Sequence, residues 1–549
     1  MITRRLRTAV VTGRAVAAVL AAAVAVAGCG VSGARPGTSG VGDPYFTTLG
    51  NGGYDALHYG LDLTYTPSGT HLAGTAEITA RATRDLSAFD LDLVGLHVSS
   101  ATVDGAPAGV ARTRTELTLR PRRALPRGHV FRAVVHYAGV PRTLTDPDGS
   151  HEGWLVSDGG RRVAALGEPT GSMTWFPSDN RPGDKATYDI AVTVPSSLTV
   201  VSNGELRAER HSGPAVSPAP EAAPPAATAG PKATDSAART ITTAATPGST
   251  GSTGSTGTTG TTGTTASSGT TGTTGTTGTT GTTTYTWHIA QPMASYLATV
   301  AIGPYALRRT RLPVRTGTAP DGRPITVLAA VDPDSAAKGR RLLDALPGIM
   351  AWEEKTFGPY PFSSTGVVVG RSGQAEYALE TQNRPFLPGP GATATLVHEM
   401  AHQWYGDAVT PATWRDMWLN EGFATYGEWL WLDSRPGAAR VPLARSFADA
   451  YRDRGNWAFP PPDPPRAADI SAAPVYGRGA MVLQRVREVV GDPAFRRILR
   501  GWSRTHRYGN ASTADFLAYA EKEAGARGRR LDSEVWRTWL YGTVRPPMA

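Results

Sequence analysis

Thr395-Leu396-Val397-His398-Glu399-Met400-Ala401-His402-Gln403-Trp404 carries two histidines four residues apart inside an apolar run. On a helix that spacing puts both imidazoles on one face, one turn apart, in reach of a single metal ion. Pro388-Gly389-Pro390-Gly391 breaks the chain just upstream and Gly406 offers a stop, so a helix over 392–406 is predicted. Zinc suits the arrangement, because imidazole nitrogen is a favoured ligand and a catalytic site uses three protein ligands with a fourth position left for water. Glu399, next to the first histidine, is placed to take a proton from that water. The third ligand candidate is Glu421, in Trp418-Leu419-Asn420-Glu421-Gly422-Phe423-Ala424, with eighteen residues intervening after His402. An antiparallel pair with a second predicted helix, 416–432, would return Glu421 toward the histidines. The competing reading is a pair of helix-surface histidines, and the carboxylate in this context speaks against it.

The pattern His398-Glu399-x-x-His402 followed by Glu421, inside His-Glu-Met-Ala-His-Gln-Trp-Tyr-Gly-Asp and Trp-Leu-Asn-Glu-Gly-Phe-Ala, resembles the M1 family of gluzincin metallopeptidases, the aminopeptidase N-like group. The resemblance runs from Asp43 through nearly the whole remaining chain. It implies a multidomain α+β protein, in which a β-rich, saddle-like β-sandwich domain precedes a thermolysin-like, mixed α/β and mainly helical catalytic domain. It also implies one zinc ion per chain on His398, His402 and Glu421, with Glu399 as general base. Tyr476, ahead of Gly477-Arg478-Gly479-Ala480-Met481, resembles the tyrosine of the family's Tyr-x-x-Gly-Ala segment, whose hydroxyl stabilises an oxyanion. Judged without the family, Tyr476 reads as a packed core tyrosine.

Tyr377-Ala378-Leu379-Glu380-Thr381-Gln382 resembles the family's Gly-Ala-Met-Glu-Asn strand, which holds the substrate backbone by strand addition. By that likeness Ala378 runs beside the substrate and Glu380 takes its amino group, although Tyr377 replaces the usual glycine and Thr381 the asparagine. Leu166-Gly167-Glu168-Pro169 implies a second amine-binding carboxylate, Glu168, with Leu166 standing where a glutamine often sits. The activity implied is aminopeptidase action on peptides with a free amino end. Two rivals use the same residues: a zinc endopeptidase, and a catalytically silent cell-surface binding module, against which the intact ligands, Glu399 and Tyr476 weigh. The chain ends some seventy residues after Tyr476, so the expectation is a cleft without the carboxy-terminal helical cap of larger family members.

Working outward, residues 309–549 form the expected catalytic domain, with strands near 325–331 and 366–369. Its further helices are predicted near 334–356, 478–490 and 493–504. Residues 46–308 form the expected β domain: Tyr59, Leu61, Leu63 and Tyr65 alternate with polar neighbours, as do Phe89, Leu91 and Leu93 and then Tyr188, Ile190, Val192 and Val194. Between about 210 and 284 the sequence becomes Pro/Ala-rich and then Gly-Thr-Thr repeats, expected to be a disordered insertion in a surface loop. Strand-like sequence resumes at Tyr285-Thr286-Trp287-His288-Ile289.

At 549 residues, with 13 tryptophans and 40% apolar residues, the chain exceeds what one core normally supports. Residues 1–28 read as a signal peptide of the lipoprotein type: arginines through Arg14, then an apolar Ala/Val run too short to span a bilayer. The run ends in Val26-Ala27-Gly28-Cys29, and Cys29 is the only cysteine, so it is the expected site of lipid attachment. That places the protein on the outer face of the cell membrane, with residues 29–45 as a flexible tether. Arg4, Arg5, Arg7 and Arg14 belong to the leader, which lowers the net charge of +9 to about +5. No basic run interleaved with aromatics remains, and a nucleic-acid partner is not expected.

Overall fold

The computed structural model describes residues 33–213, 281–312 and 319–548. Cys29 and the signal-like leader lie outside these residues, as do 214–280 of the insertion.

The alternating segments pair into an eight-stranded sheet in the order Glu205–Ser212, Thr282–Ala294, Lys185–Pro195, Tyr54–Thr66, His71–Ala82, Val130–Gly139, His97–Val103, Ala106–Pro107. The pairing is antiparallel except where Lys185–Pro195 runs alongside Tyr54–Thr66. Alternation sends Tyr59, Leu61, Leu63 and Tyr65 to one buried face, since successive side chains of a strand point to opposite sides. That face packs on two smaller sheets. Tyr54 meets Phe89 of the four-stranded sheet edge-on at 5.7 Å, and Tyr65 meets Trp154 of a five-stranded sheet at 5.6 Å. The three sheets enclose Trp154, Trp175 and Trp287.

Residues 33–45 do not behave as a tether. Arg35–Pro36 pairs parallel to Leu86–Ala88, and Thr38–Ser39 pairs with Asn51–Gly52. The glycines that suggest a linker serve close approach instead: a Cβ on Gly37 would lie 2.6 Å from the Gly52 carbonyl oxygen. Asp43 is buried and accepts from the Tyr45, Phe46 and Trp414 backbone amides.

The ends of the insertion are strand, not loop. Arg210, His211 and Ser212 pair with Thr284, Thr283 and Thr282. Thr283 is buried and its hydroxyl bonds Ser196 Oγ at 2.9 Å; a β-branched residue suits such a position. Residues 214–280 therefore join two neighbouring strands.

The second domain begins at Ala306, slightly earlier than expected, because Ala306–Arg311 pairs with Thr326–Val331 in a second five-stranded sheet. Parallel pairing then adds Ser364–Thr365 and Val368–Val369, followed by Phe386–Leu387. The helices follow: α1 (Ala336–Phe357), α2 (Thr393–Ala401), α3 (Trp418–Asp433), α4 (Leu443–Arg452), α5 (Gly479–Val490), α6 (Asp492–Thr505) and α7 (Thr513–Ala524). The predicted helix over 392–406 stops at Ala401. Gly406, at φ 139°, turns the chain, and a Cβ there would stand 3.2 Å from Asn420 Nδ2 and 3.3 Å from His402 Nδ1.

The two domains are joined by direct polar contacts. Arg384 is buried; its Nε donates to Leu328 O at 2.9 Å, and its remaining nitrogens donate to the Ser202 and Gly204 carbonyls. Asn203 Nδ2 donates to Gln382 O at 2.8 Å, and the Gly204 amide donates to Asn383 Oδ1 at 3.0 Å. Arg162 of the first domain reaches Asp332 of the second at 2.7 Å.

Because Ser212 and Thr282 are paired, replacing residues 214–280 with a short Asn-Gly turn closes a much smaller loop. Each halving of loop length returns about 0.6 kcal/mol, so the shortened protein should unfold at a temperature no lower than the full chain. A fall in melting temperature by calorimetry would show that the insertion contributes contacts of its own.

Candidate metal centre and cleft

Helix α2 buries Leu396, Val397, Met400 and Ala401, and this apolar face fixes its rotation, which sends His398 and His402 to the opposite side. Helix α3 packs against it and brings Glu421 in its first turn toward the imidazoles. Nε2 of His398 lies 3.1 Å from Glu421 Oε2, and Nε2 of His402 lies 3.5 Å from the same oxygen. A tetrahedral zinc with arms of about 2.0–2.1 Å needs ligand atoms roughly 3.3 Å apart. The observed separations bracket that value, and two imidazoles with one carboxylate form a donor set zinc accepts, so these residues fit the ion.

The histidine orientations have their own supports. His402 Nδ1 donates to the Tyr405 carbonyl at 3.1 Å, which leaves its Nε2 lone pair toward the site. His398 Nδ1 faces Glu428 Oε2 at 3.9 Å. Glu428 was not singled out from sequence, yet it lies seven residues after Glu421, two turns along the same face of α3, and that spacing is the signal that could have found it.

Tyr476 sits in a π-helical turn, Pro474–Arg478, that runs into α5. Its ring lies 6.1 Å from that of His398 and nearly parallel to it. The approach depends on two glycines: a Cβ on Gly422 of α3 would lie 2.9 Å from the Gly479 backbone. Without side chains there, α3 and the start of α5 touch backbone to backbone, and Tyr476 is drawn over Glu421.

Glu380 and Glu168 arrive from different domains. Leu379 exchanges both backbone hydrogen bonds with Phe386, the single bridge in a segment expected as a strand. The alternation of an antiparallel pair turns the neighbouring Ala378 peptide away from Phe386, and Ala378 lines the cleft. Gln403, directly after His402, donates to the Glu380 carbonyl at 3.0 Å and accepts from the Asn383 amide at 2.8 Å. It ties the Glu380 segment to the end of α2. Sequence reading missed this role; a buried amide beside a metal ligand was the only hint. Glu168, at the end of the Arg162–Leu166 strand, reaches the same cleft, and a carboxylate oxygen from each of Glu168, Glu380 and Glu421 lies within 4.8 Å of the others. Glu168 Oε2 and Glu380 Oε1 have no hydrogen-bond partner among the described residues.

The electrostatics follow from burial. Burial pushes the Glu399 carboxyl up to about 7, against the pull of His398 and His402. Burial alone would also raise Glu421, but His402 and His398 outweigh it and hold it down at about 2. Glu168 is raised well above the carboxylate range by burial and then by Glu380. Burial, followed by Glu421, keeps the Tyr476 hydroxyl protonated. A cleft of about 310 Å³ connects Glu421 and Tyr476 with Glu168 and Glu380 and continues to Asp146, Asp148 and Glu376. The arrangement can hold one metal ion, position a basic carboxylate and a phenolic donor beside it, and receive a cation at Glu168 and Glu380.

Residues 55–215 match the sequence model for the Peptidase M1 N-terminal domain, and residues 390–539 match that for the Peptidase family M1 domain. Aminopeptidase N of Streptomyces lividans is 34% identical over 161 residues, which is 27% of this chain and 18% of that protein. Tricorn protease-interacting factor F2 of Thermoplasma acidophilum is 31% identical over 206 residues, 35% of this chain and 25% of that one. The chain thus spans a quarter or less of these two curated relatives. Among solved structures, an M1 zinc metallopeptidase from Deinococcus radiodurans is 27% identical with a TM-score of 0.69, covering 92% of this chain and 98% of that one. A mutant of that metallopeptidase bound to a Tyr-Ser-Ala substrate also aligns at a TM-score of 0.69, with 26% identity, 92% coverage of this chain and 99% of that one.

Metal analysis of purified protein should find about one zinc per chain. Glu421→Ala should lower zinc affinity by at least about a hundredfold, while Tyr476→Phe should retain the full complement. Equal zinc in Glu421→Ala and the parent would remove Glu421 from the ligand set.

Proposed function

Since this chain belongs to peptidase family M1, we propose that it is a zinc aminopeptidase that removes the first residue from peptides with a free amino end. The observation that carries the reading is the pair of carboxylates Glu168, half-buried, and Glu380, buried, each with a buried unpartnered oxygen, beside the ligand candidate Glu421. Two desolvated acids demand a cation, and a peptide's α-ammonium supplies one together with a fixed distance to the first carbonyl.

Zinc, when bound to His398, His402 and Glu421, supplies Lewis acidity toward that carbonyl and lowers the pKa of the attacking water. Glu399, with a carboxyl near neutrality, takes the proton from the water and returns it to the leaving amine. Tyr476 keeps its proton and donates to the developing oxyanion. Glu168 and Glu380 bind the ammonium and set the register, while the Ala378 backbone lies along the peptide as a strand would. The aminopeptidases among the relatives support the reading for the matched domains.

Export and lipid anchoring through Cys29 belong to the same proposal and rest on the leader-like sequence alone. Among the described residues no helix is long and apolar enough to cross a membrane.

The reading is tested with one peptide carrying either a free or an acetylated amino end, each with and without chelator. The free form alone should be cleaved, one residue at a time, and chelation should stop it. Glu399→Gln should keep its zinc and lose at least about a thousandfold in kcat. Equal cleavage of both peptides would leave a zinc endopeptidase instead.

A further inference from the structure

Six carboxylates, Asp146, Asp148, Glu168, Glu376, Glu380 and Glu421, line the cleft, and no lysine or arginine is among its described lining residues. The zinc ion answers Glu421, and the substrate ammonium answers Glu168 and Glu380. That leaves Asp146, Asp148 and Glu376 at the far end. Their surroundings differ. Glu376 pairs with exposed His151 at 3.0 Å, and Asp148 accepts from the Ser150 hydroxyl at 2.7 Å. Asp146 is more than nine-tenths buried; its carboxyl meets only the Ser150 hydroxyl, at 3.5 Å, and neighbouring Glu152.

Glu152 accepts from three donors, the Thr170 amide and hydroxyl and the Gly171 amide, which offset only part of the burial that raises its pKa. Asp146 lies against Glu152, with burial and then Glu152 raising its pKa to about 10. Tyr377 stands between the two carboxylate groups. Its hydroxyl donates to the Glu168 carbonyl at 3.2 Å and its ring forms the cleft wall. Ala467 and Ile470 supply an apolar surface in the same cleft.

We propose that this end of the cleft is a subsite for a cationic first side chain, so that the protein prefers peptides beginning with arginine or lysine. The inference rests on the aminopeptidase reading and adds the substrate class to it. The methylene stem lies along Tyr377 and Ile470, as the long basic side chains do on apolar surface, and the guanidinium or ammonium meets Asp146 and Asp148. An uncharged side chain of the same shape would take water from Asp148 and give Asp146 no cation to replace its proton, which is how a polar site disfavours an isostere.

Aminoacyl-methylcoumarylamides of arginine and citrulline, and of lysine and norleucine, isolate the charge from the shape. In the zinc-loaded protein kcat/KM should favour arginine over citrulline by at least about tenfold, and lysine over norleucine in the same sense. Asp148→Asn, at an exposed position, should shrink both ratios, and Asp146→Asn should shrink them further if it folds. Ratios near one in the parent protein overturn the subsite while leaving the aminopeptidase reading intact. If none of the four is cleaved, that reading falls instead, and the subsite is judged by calorimetric binding of argininamide against citrullinamide, equal affinity overturning it.

Discussion

Negative charge gathered in one partly buried cleft is the constraint around which this structure is arranged. Glu380, Glu399 and Glu421 are buried close to two imidazoles, with half-buried Glu168 beside Glu380 and Glu421, and an unpaired buried carboxylate costs several kcal/mol. The fold has cations nearby but spends them elsewhere. Lys185 Nζ donates to the Asp407 carbonyl at 2.7 Å, and Arg384 is taken up by three carbonyls. The Glu380 segment is held through its backbone carbonyl by the neutral Gln403 amide. The cleft is therefore held in shape without being neutralised, and its charge remains available to a metal ion and a substrate.

Holding that shape depends on the absence of side chains as much as on their presence. Gly422 and Gly479 let α3 and α5 meet at backbone distance, which sets Tyr476 over the metal ligands, and Gly406 clears the space beside His402 Nδ1. Each is a place where a methyl group would push a functional atom from its position, and forcing extra volume into such packing typically costs about 1–3 kcal/mol.

The cluster of His398, His402 and Glu399 was legible in the sequence because helix periodicity alone puts the two histidines together, and the β domain was legible because its strands have one buried face. The expectations that failed did so for physical reasons. Gly, Ser and Pro in residues 33–45 look like a linker, but small residues also permit the tight strand pairing seen at Gly37. The helix through the histidines ends at Ala401 because the turn that follows is fixed by contacts with α3, and periodicity carries no information about those. Gln403, Asn203 and Arg384 act through partners twenty or more residues away or in another domain, so nothing in their own neighbourhoods marks them. Tyr476 and Glu380 were found only through family likeness, since neither has a local pattern that separates it from an ordinary core residue.

The joint made by Arg384, Asn203 and Asn383 has a consequence for directionality. The second domain carries His398, His402, Glu399, Glu421 and Tyr476, the residues proposed to break the amide bond, and only one of the two carboxylates, Glu380, proposed to count from a chain end. Half of the counting device, Glu168, belongs to the first domain. On the proposed reading, where along a peptide the cut falls depends on how the two domains are clamped, and a few carbonyl oxygens around one guanidinium serve as the ruler's fixed zero.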